Sequence, residues 1–207
     1  MLPFKTPFLA PYIYPRLLWK VKTSEKVIYL TFDDGPIPEL TEWVLDVLKE
    51  HKAKATFFCV GENVRKHPEI FQRILAEGHQ VGNHTQHHLN GKKTDFETYL
   101  TDTNLCDEAL KYESVSTYLF RPPYGRLTSK QRSELLKRKT IVMWDVLTQD
   151  YDQSLDADLI LEKSIAATDY GSIVVFHDNL KADRNIRKVL PAYLEHFINK
   201  GFRFDSL

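Results

Sequence analysis

Apolar residues along this chain switch repeatedly between short runs and helical stripes. Val27, Ile28, Leu30 and Phe32 mark a β-rich run over 27–32, which Gly35 and Pro36 end. Trp43, Val44, Val47 and Leu48 then recur at helical spacing over 41–50. A second strand is expected over 55–60, stopped at Gly61. The next helix, over 68–77, puts Ile70, Phe71, Ile74 and Leu75 on one face and ends at Gly78. A short strand over 79–83 leads into a group of histidines. The alternation continues with a helix over 94–112, a strand over 118–121 and a helix over 129–139. Strands over 140–146 and 172–176 follow, each succeeded by a helix, over 156–167 and 185–200. Strict strand–helix succession predicts an α/β fold with a parallel sheet, because a crossover helix returns the chain to the same end. The strands are apolar on both faces, as buried parallel strands are. This pattern leaves an open sheet and a barrel as alternatives. Without a repeat or linker, the expected organisation is an N-terminal arm over 1–25 packed on one domain over 26–207.

Composition removes several classes of function. With 207 residues, 43% hydrophobic and 27% charged, the chain can build a sizeable core. Its mass predicts a folded surface of roughly 10,000 Å². Lys plus Arg number 28 and Asp plus Glu 28, so there is no basic excess for a row of phosphates, and nucleic acid is not the expected partner. Cys59 and Cys106 are too few for a disulfide framework or a CxxC metal site and read as buried thiols. No apolar run approaches the ~20 residues of a membrane span. Pro7, Pro11 and Pro15 interrupt the first segment before it can form a secretory core, so a cytoplasmic location is the expectation. Nothing in the sequence speaks to oligomeric state.

Parallel α/β folds collect their chemistry at the C-terminal ends of strands. Asp33 and Asp34 follow the first strand, and His84, His87 and His88 the third. Arg121 with Pro122, Pro123, Tyr124 and Gly125 follows the fourth, Asp150 the fifth, and His177 with Asp178 the sixth. Neighbouring strand residues face opposite ways, so both aspartates reach one pocket only if Gly35 and Pro36 bend the chain. One can then bind a metal while the other stays free as a base. A helical turn would put His84 and His88 on one face at ligand spacing, and His84 with His87 would also serve. Two imidazoles and one carboxylate form the open set of a catalytic metal. His177 suits a general acid, and Arg121 a fixed cation beside a carboxylate. The stiff turn at Pro122 and Pro123 can aim a backbone N–H at an oxyanion. Trp144 reads as part core, part pocket wall, and Asp178 as a turn cap.

The motifs Thr31-Phe32-Asp33-Asp34-Gly35-Pro36, His84-Thr85-x-x-His88, Arg121-Pro122-Pro123-Tyr124-Gly125, the segment 144–151, and Ile173-Val174-Val175-Phe176-His177 stand in one order. In that order they resemble the five motifs of the polysaccharide deacetylases, the NodB-homology enzymes of carbohydrate esterase family 4. The resemblance implies a distorted (β/α) barrel and a metal-dependent hydrolase that removes N-acetyl groups from a carbohydrate. It implies Asp33 as base, His177 as acid, Arg121 holding the base and Asp150 tuning the acid. Asp34, His84 and His88 become the metal ligands, for Zn²⁺ first, with Co²⁺, Mn²⁺ or Ni²⁺ also suited to the set. Pro123, Tyr124, Trp144, Tyr151 and Val175 become substrate contacts, with the Tyr124 N–H as oxyanion donor. Tyr151 and Val175 depart from the family's usual Trp and Leu in the acyl pocket. Those departures keep two rivals in view: hydrolysis of another acyl amide, imide or O-acetyl ester, and a non-catalytic carbohydrate-binding member of the fold.

Overall fold

The computed structural model describes residues 3–207. Its accessible surface of 10051 Å² agrees with the value expected for a compact chain of this mass. The strands are β1 (Val27–Asp33), β2 (Thr56–Cys59), β3 (Gln80–Asn83), β4 (Leu119–Phe120), β5 (Thr140–Ile141), β6 (Val146–Leu147), β7 (Ile173–His177) and β8 (Arg203–Asp205). They run in the order β5-β4-β3-β2-β1-β7-β6, and every pairing is parallel. β8 pairs Val27 to Tyr29 of β1, on the edge that β2 takes up from Thr31 onward. The helices are α1 (Ala10–Ile13), α2 (Leu40–Glu50), α3 (Gly61–Lys66), α4 (Pro68–Ala76), α5 (Phe96–Tyr112), α6 (Ser129–Leu135), α7 (Ala157–Ala167) and α8 (Asp183–Asn199).

Alternation along β1 and β7 decides what faces the site. Leu30 and Phe32 of β1, with Val174 and Phe176 of β7, join the main core against the helices. Phe32 stacks between Phe57 and Phe176, with ring centroids 5.0 and 6.0 Å away. Thr31, Asp33, Val175 and His177 consequently point to the other face, inside the curl of the sheet. The register pairs Thr31 with Val175 and Asp33 with His177, so the two strands deliver their residues at one level.

The structure departs from the expected elements in informative ways. The strand over 140–146 is split. β5 pairs β4 and β6 pairs β7, so this one stretch touches both edges of the curled sheet. Between them the carbonyls of Val142 and Met143 accept from the Arg121 guanidinium, at 3.4 and 2.9 Å, which draws them off the ladder. Residues before β1 line this gap: Leu18 bridges Val142, and Lys5 bridges Val146. Gly61, expected as a stop, instead opens α3. A Cβ there would lie 2.2 Å from Gln86 Oε1, so glycine allows the histidine loop to close on the helix. β8 and α1 were not legible as periodic segments.

Candidate active site

At the end of β1 the chain turns on Asp34, whose φ of 88° lies in the left-handed region, one residue earlier than expected from Gly35. That turn lets Asp33 and Asp34 share a cleft. Beneath it Asp178 accepts from the Gly35 N–H at 3.0 Å and the Thr41 hydroxyl at 2.7 Å. A Cβ on Gly35 would meet Asp178 Oδ2 at 1.9 Å, so only glycine allows this approach. Burial pushes the Asp178 carboxyl up to about 8, against the pull of these hydrogen bonds. Asn63 donates to the Asp34 carbonyl at 2.7 Å, and Asn179 to Asp34 Oδ2. Sequence reasoning missed both asparagines. The only signal was the position of Asn179 two residues beyond His177 at a strand end.

The segment 84–88 is not helical. Thr85 and His88 have φ of 65° and 56°, and these left-handed residues fold the loop back on itself. Buried Asp102 of α5 pins the loop, accepting from the N–H groups of Gln86 and His87 at 2.9 and 3.0 Å. It also takes His87 Nδ1, at 2.5 Å, so His87 lies apart from the aspartate–histidine cluster. His84 Nδ1 donates to the Arg121 carbonyl at 2.7 Å, which turns its Nε2 towards Asp34 Oδ1, 3.4 Å away. His88 Nε2 lies 2.9 Å from the same oxygen. Ligand atoms of Asp34, His84 and His88 all fall within 4.8 Å of one another. A tetrahedral ion with bonds of ~2.0–2.1 Å spaces its ligands by roughly 3.3 Å, so the set fits a divalent cation. Burial opposes ionisation of Asp34, but hydrogen bonds with His84 and His88 and the charge of His177 outweigh it. They hold the carboxyl well below the usual carboxylate range.

Asp33 stays outside this cluster. Its Oδ1 accepts from Arg121 at 2.6 Å, and its Oδ2 lies 4.0 Å from His84 Nε2. Arg121 is fully buried, stacked on Phe58 at 4.2 Å, and also donates to the Thr31 hydroxyl at 2.7 Å. One residue therefore fixes the aspartate through its side chain and His84 through its carbonyl. Across the cleft, Asp150 accepts from His177 Nδ1 and from the His177 N–H, both at 2.8 Å. Burial pushes the His177 imidazole down. The charge of Asp150 and its hydrogen bond, then Asp34 and Asp33, outweigh that and raise it to about 9.

These groups border a cleft of about 790 Å³. Asp33, Asp34, His84, His88, Tyr124, Trp144, Tyr151, Val175 and His177 line it, while Arg121 and Asp150 stand behind with no exposure. Pro122 forms the wall where Pro123 was expected, and Pro123 is buried in the turn. Tyr124 sits at φ 59°, ψ 8°, with its ring 4.7 Å from that of His88. Tyr151 meets His177 edge-on at 4.8 Å. Leu147 is an apolar wall residue that sequence reasoning missed. Burial raises both thiols, Cys106 to about 12 and Cys59 well above its ordinary value, so neither is a nucleophile.

Fold and site define a curled parallel β/α domain with an open two-histidine, one-aspartate cluster beside a free aspartate and a carboxylate-backed histidine. A family model described as polysaccharide deacetylase matches residues 20–141, and the chain belongs to that family. It is similar to a peptidoglycan-N-acetylglucosamine deacetylase of Bacillus cereus, 32% identical over 194 residues, covering 91% of this chain and 90% of the relative. A chitooligosaccharide deacetylase of Sinorhizobium fredii is 34% identical over 218 residues, covering 94% of this chain and 96% of that one. The crystal structure of the Bc1960 peptidoglycan N-acetylglucosamine deacetylase, with a bound N-oxidanyl-benzamide, superposes with a TM-score of 0.88. That match has 32% identity and covers 95% of this chain and 94% of the other.

Proposed function

We propose that this protein hydrolyses the N-acetyl group of N-acetylglucosamine units within a glycan, using a divalent metal held by Asp34, His84 and His88. The observation that carries this reading is the cleft itself, where that cluster, the unligated Asp33 and the carboxylate-backed His177 share one wall. The named relatives, a peptidoglycan-N-acetylglucosamine deacetylase and a chitooligosaccharide deacetylase, support the acyl-amide substrate.

A divalent ion bound there supplies a Lewis acid and lowers the pKa of water. Asp33, aimed by Arg121, accepts the proton as water attacks the amide carbonyl. The Tyr124 N–H, presented by the left-handed turn, donates to the oxygen on which charge develops. An amide nitrogen leaves poorly, so His177 Nε2 delivers a proton to it while Asp150 holds Nδ1–H. Leu147, Tyr151 and Val175 offer an apolar wall to the acetyl methyl group.

The test is acetate release from chitooligosaccharides and from peptidoglycan after chelation and after return of zinc, cobalt, manganese or nickel. Activity should vanish with chelator and return with metal. Asp33→Asn should keep the bound metal yet lose roughly a hundredfold or more in turnover, whereas His88→Ala should lose the metal. No release from either substrate under any metal overturns the proposal. Metal loss in Asp33→Asn would reverse the roles of the two aspartates.

A further inference from the structure

We propose that the segment preceding β1 docks this enzyme on an anionic lipid surface through Phe8, Leu9, Tyr12 and Ile13. These side chains are 76%, 63%, 69% and 64% exposed. Among the described residues, no other stretch leaves so many large apolar side chains in water so close together. Together they present apolar area on the order of 400 Å², the size at which a surface patch marks an interaction site.

The patch is built on a fixed base. Lys5 Nζ reaches Asp145 at 2.8 Å, and the Thr6 hydroxyl donates to the Trp144 carbonyl at 2.6 Å. On the far side of the patch, the Leu18 N–H donates to Ile141 and the Val21 N–H to Gly171, each at 2.9 Å. Pro7, Pro11 and Pro15 restrict the backbone between these anchors, and the Phe8 and Tyr12 rings touch at 5.1 Å. The exposed side chains are therefore presented by a tied-down loop and have no free path back to the core.

Charge selects the occupant. Residues 3–24 contain Lys5, Arg16, Lys20 and Lys22 and no acidic residue. Lys5 and Lys20 are neutralised by Asp145 and Asp169. Arg16 and Lys22 form no ion pair among the described residues, and the Arg132 guanidinium lies over the Tyr14 ring at 4.7 Å. A second copy meeting this patch with its own would offer Arg16 and Lys22 no acidic partner, because residues 3–24 hold none. A sugar chain stacks on flat aromatic faces and gains little from Leu9 and Ile13. An anionic bilayer meets both halves of the patch, taking the apolar side chains at its acyl boundary and the cations at its headgroups.

The test is flotation of the full chain with phosphatidylcholine vesicles, with and without phosphatidylglycerol. Binding should require phosphatidylglycerol and weaken as salt rises. The double variant Phe8→Ser/Ile13→Ser should bind roughly tenfold or more weakly. Arg16→Glu/Lys22→Glu should lose roughly fivefold or more per charge. Both pairs are exposed, so each variant should keep the parent's melting temperature and circular dichroism. Three results overturn the proposal: no flotation with phosphatidylglycerol, binding unchanged in both double variants, or a dimer that Phe8→Ser/Ile13→Ser dissociates in a chain that ignores lipid.

Discussion

Replacing Asp150 by Asn tests the proposed acid directly. In the parent, His177 at about 9 is nearly fully protonated at neutral pH, the state an acid must hold before the amine departs. Raising an imidazole from its ordinary 6.5 to about 9 corresponds to roughly 3 kcal/mol in favour of the imidazolium. Asp150 supplies the largest part of that lift, through its charge and through Nδ1–H. Asparagine removes the charge, and burial then works unopposed by its main partner, bringing the imidazole to 6.5 or lower. At pH 7.5 the protonated fraction falls from about 97% to about a tenth, so the rate should drop roughly tenfold. One amide oxygen also cannot serve both the His177 N–H and Nδ1–H, which adds an unsatisfied buried donor worth about 1–3 kcal/mol of stability. The assay is kcat for acetate release from pH 5.5 to 10, with a melting curve at each pH. The parent should lose activity as pH rises through a limb no higher than about 9. In the variant that limb should move down by two units or more, with partial recovery near pH 6. An unchanged alkaline limb would refute the assignment of His177 as acid and Asp150 as the group that charges it.

Other perturbations follow from the same geometry. Arg121→Met removes the guanidinium that pairs with the buried Asp33 carboxylate at 2.6 Å and should lower unfolding free energy by about 3–5 kcal/mol in a urea titration. His79 is buried, and its Nδ1 accepts from the Ala55 N–H at 3.2 Å. Burial first, then the charge of Lys54, lowers it to about 4. Its contribution is whole above the unfolded value of 6.5 and drains away as pH falls towards 4. Stability should therefore drop by roughly 2 kcal/mol between pH 7 and 4.5 on its account. His79→Asn, which accepts the same N–H without titrating, should flatten that part of the pH profile. Gly35→Ala drives a methyl into Asp178 and should weaken binding of the proposed divalent metal in a calorimetric titration roughly tenfold or more, by displacing Asp34.

How far the sequence revealed this site depends on the range of the forces that built each part. Asp33, Val175 and His177 were legible because a strand's period of two and a parallel register settle their facing locally. The elements that carry them were legible for the same reason, since β1, β7 and their crossover helices announce themselves by spacing alone. The histidine loop was not. His84 and His88 sit four apart as a helical turn would place them, yet Asp102, far along in α5, captures the intervening N–H groups and imposes a left-handed path. The strand over 140–146 reads as continuous until Arg121 claims its carbonyls from inside the sheet. Asn63 has no local signature and Asn179 only its place just beyond β7, because what they do is set by Asp34, one residue past β1. In each of these misses a buried polar group from a distant element overrides the local preference, as it must, since leaving that group unpaired costs more than bending a short segment. The resemblance in motifs supplied roles for Asp34, His84 and Arg121 that spacing had left open. The structure adds why they stand together, because the Arg121 side chain holds Asp33 while its carbonyl orients the imidazole of His84.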